Sequence, residues 1–329
     1  MILAGDIGGT KSNLAVFEER GGRLAAVVQQ RYASHEYAGF EEMVSVFLKH
    51  AEPACGKKRI ACAGFGVAGP VVENRVHATN LPWIVDGRKL QETFGFEHVL
   101  LMNDLEATGH SLEHLRADEL CVLNQGNPQP GGTRALLAAG TGHGQALLVW
   151  NGQGYRVAPS EGGHSDFAPH TEQQIELLRF MRKRTAHVTW ELILSGRGFR
   201  TLHEFLDSSV RHDSFDEPAG DAAAPEITRR GLEKSCPVCV ETLDLWTAIY
   251  GAEAGNLALK VLALGGVYVA GGIAAKILEK IKDGTFLKNF CDREEKFEEL
   301  MRDIPVTVVL NEDAPLLGAA YRARQTRGQ

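Results

Sequence analysis

Three short glycine turns carry the residue types that handle phosphate. In Asp6-Ile-Gly-Gly-Thr-Lys11 the two glycines let backbone amides approach and donate to an anion. Thr10 adds a hydroxyl and Lys11 a cation, and Asp6, at the end of the apolar stretch MILAGD, could hold Mg²⁺ through water. Gly140-Thr-Gly-His-Gly144 supplies a second turn of amides and a hydroxyl. Ala270-Gly-Gly-Ile273, behind GGVYV, supplies a third, shaped for a flat ring rather than for charge. Any one of these reads equally well as an ordinary hairpin turn. Three together, the first with an aspartate, fit a nucleoside triphosphate divided between two lobes. The expected ATP-binding residues are Asp6, Gly8, Gly9, Thr10, Lys11, Gly140, Thr141, Gly142, Gly271 and Gly272, with Asp6 as the metal residue.

Other motifs read as structural. Gly64-Phe-Gly-Val-Ala-Gly69 matches the dinucleotide pattern in letters, but that pattern needs a helix opening at the turn, and Pro70-Val-Val reads as strand. Cys236-Pro-Val-Cys239 is a lone CxxC. Structural zinc wants four ligands and no second pair is spaced to supply them, so two buried thiols are expected. The basic run from Arg179 to Arg184 reads as a solvated helix face.

These residues need elements to position them. The alternation in residues 1–17 predicts a hairpin over the first glycine turn, and LAAVVQQRYAS a third strand. Apolar positions 40, 43, 44, 47 and 48 form a helical stripe between Tyr37 and His50. Strands are expected over Arg59–Val67, Val71–Val76 and His98–Asn103, with helices over Asp86–Thr93 and from Leu105. Asn124–Thr133 reads as a loop near the joint between lobes. Arg134–Trp150 repeats the opening pattern of strand, glycine turn and strand, a faint internal duplication. Ser208–Pro225 reads as a mobile surface loop, 227–263 as helix, Gly265–Gly272 as strand and turn, Pro305–Leu310 as strand and Ala314–Gln325 as a last helix. Strands alternating with helices indicate an α/β fold with mixed sheets.

A chain of 329 residues suggests two domains and buries a large core without staples. With 35 basic against 42 acidic residues the net charge is −7, poor electrostatics for gripping nucleic acid. Residues 1–17 lack a basic leader, and the longest mostly apolar stretch, Val261–Ala275, is short of a membrane span and holds several glycines. A reduced, cytoplasmic protein is the expectation, without membrane or nucleic-acid partners.

At this point the sequence resembles the bacterial glucokinase family within the actin–hexokinase–Hsp70 ATPase superfamily. The resemblance rests on Asp6-x-Gly-Gly-Thr, Gly140-Thr-Gly and Val269-Ala-Gly-Gly272. Within the superfamily it rests on Asn103-Asp104, Glu161-Gly-Gly-His164-Ser-Asp-Phe-Ala-Pro169, Glu191-Leu-Ile-Leu-Ser-Gly196 and Pro315-Leu-Leu-Gly318. These pieces occur in family order over essentially the whole chain. His143 stands where an apolar residue is expected, and Trp190 and Leu192 flank Glu191 where small and basic residues are frequent.

The resemblance implies a two-domain actin-like ATPase (hexokinase-type) α/β fold with the active site in the interdomain cleft. The small domain would be 1–114 plus 311–329 and the large one 115–310. It implies ATP-dependent phosphorylation of D-glucose at the 6-hydroxyl, with Mg²⁺. Asn103, Asp104, Glu161, His164 and Glu191 would bind the sugar, and Asp104 would be the general base. The rival reading makes Asp104 the cap of the following helix. Glu161 and His164 could instead bond each other on a surface loop, and Glu191 could lie on a solvated face. Asp166 could hold His164 or the loop. The expected partners are glucose, ATP and a second copy of the chain. A sugar-responsive transcription factor on this scaffold would need a DNA-binding module ahead of Asp6, where no room is expected. A sugar sensor without turnover is the third reading.

Overall fold

The structure, a computed structural model, describes residues 1–56, 58–79, 81–216 and 223–326. The chain divides into two compact units, Met1–Arg116 with the chain from Asn311 onward, and Ala117–Leu310.

The first unit is built on a five-stranded sheet of order β3-β2-β1-β4-β8. β1 (Ile2–Ile7), β2 (Lys11–Arg20) and β3 (Arg23–Ala33) form an antiparallel meander, while β4 (Cys62–Val67) and β8 (His98–Asn103) continue beyond β1 in parallel. Side chains of β1 alternate between two cores, as a central strand requires. Leu3 and Ile7 pack with Phe40, Met43, Val44 and Phe47 of α1 (Phe40–Cys55). Ile2 and Ala4 pack on the other face with Leu316, Ala319 and Ala320. Those residues belong to α13 (Ala314–Gln325), which shares that face with α3 (Asp104–Ser111); α2 (Gly87–Phe94) precedes β8. Gly64 and Gly66 of the dinucleotide-like motif serve this packing. A Cβ on Gly64 would lie 2.4 Å from the Ala319 carbonyl, and one on Gly66 would lie 2.9 Å from Ala107 Cβ.

Val71–Val76 is not one strand. β5 (Val71–Val72) turns back into β6 (Arg75–His77) through Glu73 and Asn74, both left-handed at φ 50° and 58°, and β7 (Ile84–Asp86) completes a small separate sheet. Two consecutive left-handed residues match the twist of a two-residue hairpin, and Asn tolerates that conformation.

The second unit repeats the theme in a six-stranded sheet of order β12-β11-β10-β13-β14-β9. β10 (Arg134–Ala139), β11 (His143–Trp150) and β12 (Tyr155–Ser160) form the antiparallel meander, and β13 (Gly266–Ala270) and β14 (Val306–Val309) run parallel to β10. β9 (Leu120–Asn124), not expected from the sequence, adds an antiparallel edge to β14. The loop after it lies within this unit rather than at a joint, since the chain passes between units at 116/117 and 310/311. Helices α4 (Glu172–Met181), α5 (Trp190–Ile193), α6 (Gly196–Leu206), α7 (Ala223–Leu232) and α8 (Pro237–Val261) follow β12. The expected helix over 227–263 is therefore two, broken at a left-handed Lys234 and restarted by Pro237 in the first turn of α8. The expected loop 208–225 contains a 3₁₀ turn at Asp213–Asp216 and the start of α7; its residues 217–222 lie outside the described ones. Short helices α9 (Gly272–Lys276), α10 (Leu278–Lys282), α11 (Thr285–Cys291) and α12 (Glu298–Asp303) lead to β14. The core of this unit stacks Phe199 on Trp246 with ring centres 5.0 Å apart. Among the described residues no helix is long and apolar enough to cross a membrane.

Candidate active site

In the first unit the predicted residues gather at the carboxyl ends of adjacent parallel strands, where open α/β sheets hold ligands. The register Ile7–Val67–Asn103 across β1, β4 and β8 brings Asp6 and Asn103-Asp104 to the same edge. The Asn103 side chain, not that of Asp104, caps α3. Its Oδ1 accepts from the Leu105 amide at 2.9 Å and its Nδ2 donates to the Gly69 carbonyl at 3.3 Å. Asp104 is the first helical residue, and its Oδ1 also accepts from the Leu105 amide, at 2.9 Å. The capping role is thus filled by Asn103, and Asp104 is held at the strand end by the helix start.

Asp6 is the most perturbed carboxyl of this group. Although the residue keeps some surface, its carboxyl is so enclosed that burial, with the charges of Asp104 and Asp313 adding to it, pushes it up to about 7; Arg31 opposes. Asp313, at the start of α13, accepts from Asn13 at 2.8 Å and from Gln29 at 2.9 Å. The sequence reading missed Asp313; an acid immediately ahead of an Ala-Pro helix start was the available signal. The glycine turn is braced by Ser34, whose hydroxyl donates to the Gly8 carbonyl at 2.8 Å and whose amide donates to the Thr10 carbonyl at 3.0 Å. Gly8 and Gly9 are half-buried, and Thr10 and Lys11 are exposed. Asp6 thus feels two further carboxylates, with one arginine opposing them.

In the second unit the glycine turn is joined to the predicted sugar residues. The His143 amide donates to Glu191 Oε2 at 3.2 Å, and a Cβ on Gly142 would lie 2.6 Å from the same oxygen. The Gly140 carbonyl accepts from the Gly196 amide at 2.9 Å. The adenosine-type turn sits beside it. Gly271 has φ 87°, and a Cβ there would lie 2.4 Å from the Ala139 carbonyl, which ends β10. Gly272 opens α9.

Glu161 precedes a 3₁₀ turn that His164 ends, with carboxylate and imidazole 3.8 Å apart and both well exposed. They contact each other, as the bland reading held, and they also face solvent where a ligand can reach them. Gly163 is obligatory, since a Cβ would lie 1.8 Å from the His143 carbonyl. The segment after this turn is bridged to the one before Glu191. Phe167 N donates to Val188 O at 2.8 Å and Trp190 N to Ser165 O at 3.1 Å. Trp190 is buried edge-on against Phe167, ring centres 5.2 Å apart. Burying a side chain of that size contributes roughly 1.5–3 kcal/mol, so the unusual flank of Glu191 is its anchor. Asp166 faces the His187 imidazole at 3.4 Å rather than His164.

Beneath the turn lies a polar cluster that the sequence reading did not assign. Gln145 Nε2 donates to Glu253 Oε1 at 2.7 Å and approaches His143 Nε2 at 3.4 Å. Burial, with His164 adding to it, pushes His143 down to about 3. The imidazole is therefore neutral, as suits a position where an apolar residue was expected. Burial also raises the Glu253 carboxyl, against its hydrogen bond from Gln145.

Two sheets of related strand order, each opening on a glycine-turned hairpin, are the architecture of the actin-like ATPases that includes the sugar kinases. Solved structures share it over the full chain. A glucokinase from an Antarctic psychrotroph matches with a TM-score of 0.82 at 27% identity, covering 98% of each chain. A ROK-family glucokinase from Streptomyces griseus, in complex with glucose and AMPPNP, matches with a TM-score of 0.67 at 21% identity, covering 98% of this chain and 99% of that one. In sequence, the glucokinase of Nostoc punctiforme is 38% identical over 342 residues, 98% of each chain. The glucokinase family description matches residues 3–326, and the chain belongs to that family of glucose-phosphorylating kinases.

Proposed function

We propose that this chain transfers the γ-phosphoryl group of ATP to the 6-hydroxyl of D-glucose, giving glucose 6-phosphate and ADP. Asp104 would take the proton of the attacking hydroxyl as the P–O bond forms and the bond to ADP breaks. Phosphoryl transfer asks little covalent chemistry of the protein and much positioning and charge stabilisation. The observation that carries the reading is the division of labour at the end of β8: Asn103 caps the helix, and Asp104 stands close enough to the enclosed Asp6 to raise its carboxyl. Gly8, Gly9, Thr10 and Lys11, with Gly140, Thr141, Gly142, Gly271 and Gly272, would cradle the donor. Asn103, Glu161, His164 and Glu191 would read the sugar hydroxyls. Paired carboxylates and imidazoles reject analogues that leave them unpartnered. Asp6 would hold Mg²⁺ through water, and the ion, when bound, neutralises phosphate charge.

The relatives' names support glucose as acceptor, and the AMPPNP complex of the Streptomyces griseus protein supports a triphosphate donor. A coupled assay with glucose, mannose and glucosamine against ATP, ADP and polyphosphate tests the reading, with phosphorus NMR identifying the product. Glucose 6-phosphate from glucose and ATP is expected. Tight glucose binding without turnover from any donor would replace it with a sugar sensor.

A further inference from the structure

The CxxC that had no second cysteine pair acquires two histidines from the fold. His203 lies near the end of α6, and His212 in the segment after it. Cys236 caps α8 and Cys239 lies in its first turn. One ligand atom from each of the four lies within 4.8 Å of the others, and all four are buried; His212 keeps surface only elsewhere on the residue. His203 is fully buried, and neither ring nitrogen has a hydrogen-bond partner among the described residues. Leaving a buried polar group without a partner is costly, so such an imidazole is expected to have a ligand. His212 Nε2 already lies 3.2 Å from Cys239 Sγ.

We infer that His203, His212, Cys236 and Cys239 form a Cys₂His₂ structural zinc site in the second unit. Bonds of about 2.3 Å to sulfur and 2.0–2.1 Å to nitrogen in a tetrahedron separate ligand atoms by about 3.3–3.8 Å. One pair, at 3.2 Å, is slightly inside that separation, and the others, within 4.8 Å, need only side-chain movements to reach it. Two thiolates and two neutral imidazoles suit zinc rather than magnesium. They also make the centre electrically neutral, which permits burial. Binding releases two thiol protons to solvent. Phe215 packs edge-on against both imidazoles, at 5.0 and 5.3 Å between ring centres, and fixes their orientation. Four protein ligands leave no open position, so the role is to pin the start of α8 to α6 and to the segment carrying His212.

The test uses the full chain, purified under reducing conditions without chelator. Mass spectrometry of the metal should find one zinc per chain. Zinc-stripped protein titrated with Co²⁺ should saturate at one equivalent. The spectrum should show tetrahedral ligand-field bands and a thiolate charge-transfer band. Zinc should raise Tm and block both thiols from a thiol reagent. Cys239→Ser should abolish the charge transfer from that sulfur. His212→Ala, on the partly exposed segment and least disruptive to folding, should surrender zinc to a chelator that the wild type resists. A folded wild type that holds no zinc and gives no tetrahedral cobalt spectrum with both thiols reduced would overturn the site. So would a cobalt spectrum and chelator resistance unchanged in His212→Ala, or a Cys236–Cys239 disulfide in protein purified under reducing conditions.

Discussion

The hairpin β1–β2 and the hairpin β10–β11 occupy the same place in two sheets of related order, yet they hold opposite chemistry. Counting back from each turn, the pair Asp6–Asn13 of the first corresponds to Ala138–Gly144 of the second. The first holds an aspartate, Asp6, that burial and neighbouring carboxylates make hard to ionise. The second buries an imidazole that desolvation keeps uncharged and ties its turn to Glu191. The repeat thus preserves the scaffold, and polar substitutions give each copy its own task. Charge handling falls to the first, and shaping of turns by glycine to the second.

If base chemistry belongs to the first copy alone, Asp104→Asn should lower kcat about 10²–10⁴-fold. Calorimetry should find glucose affinity little changed, because an amide still bonds the hydroxyl. A variant that turns over at the wild-type rate would break the comparison at its centre. Next in size is the sugar side of the second copy. Glu161→Gln and His164→Ala should each weaken glucose about 10-fold or more, the scale of a hydrogen bond to a charged group. ATP binding should be much less affected, as titration of both ligands would show.

Two smaller effects sharpen the electrostatic contrast. The folded-state pKa of Asp6 is raised from 3.8 to about 7. Its protonated form therefore favours the fold, and that contribution disappears as pH rises through about 7. In magnesium-free buffer Asp6→Asn should gain stability on the wild type between pH 4 and pH 8, read by urea denaturation. His143 has its value lowered from 6.5 to about 3, so its contribution is present above pH 6.5 and fades as pH falls toward 3. His143→Leu should flatten that part of the acid limb. Equal acid sensitivity in variant and wild type would remove the neutral-imidazole account.

Much of this was legible in the chain because it is local. Glycine turns behind apolar strands announced both hairpins, and the run from Glu161 to Pro169 marked the segment proposed to read the sugar. Local signals failed where they were weak. The turn at Glu73-Asn74 has no glycine, so two short strands read as one. Lys234 itself gives no warning of the helix break, and the available signal, Pro237 in the first turn of a new helix, lies three residues on. What was missed at the sites is non-local. Asp313 comes beside Asp6 only through the packing of α13. Glu253 sits within an apolar run of α8, and nothing local marks it as a carboxylate that the fold buries fully. His203 and His212 join the cysteines only because α6 lies beside α8.

Gly318 lets α13 press on α3 so closely that a Cβ would lie 1.7 Å from the Ala107 carbonyl. That contact imposes an order on biosynthesis. The strands of the first sheet leave the ribosome early, but the helix covering one of their faces comes only after all of 117–310. At about 5–20 residues per second that wait lasts about 10–40 s. During it Ile2, Ala4, Ala15 and Cys62 lack the covering that α13 later gives them. The second unit, continuous in the chain, can complete its fold in the meantime. Until α13 is made, a nascent first unit therefore carries one bare apolar face.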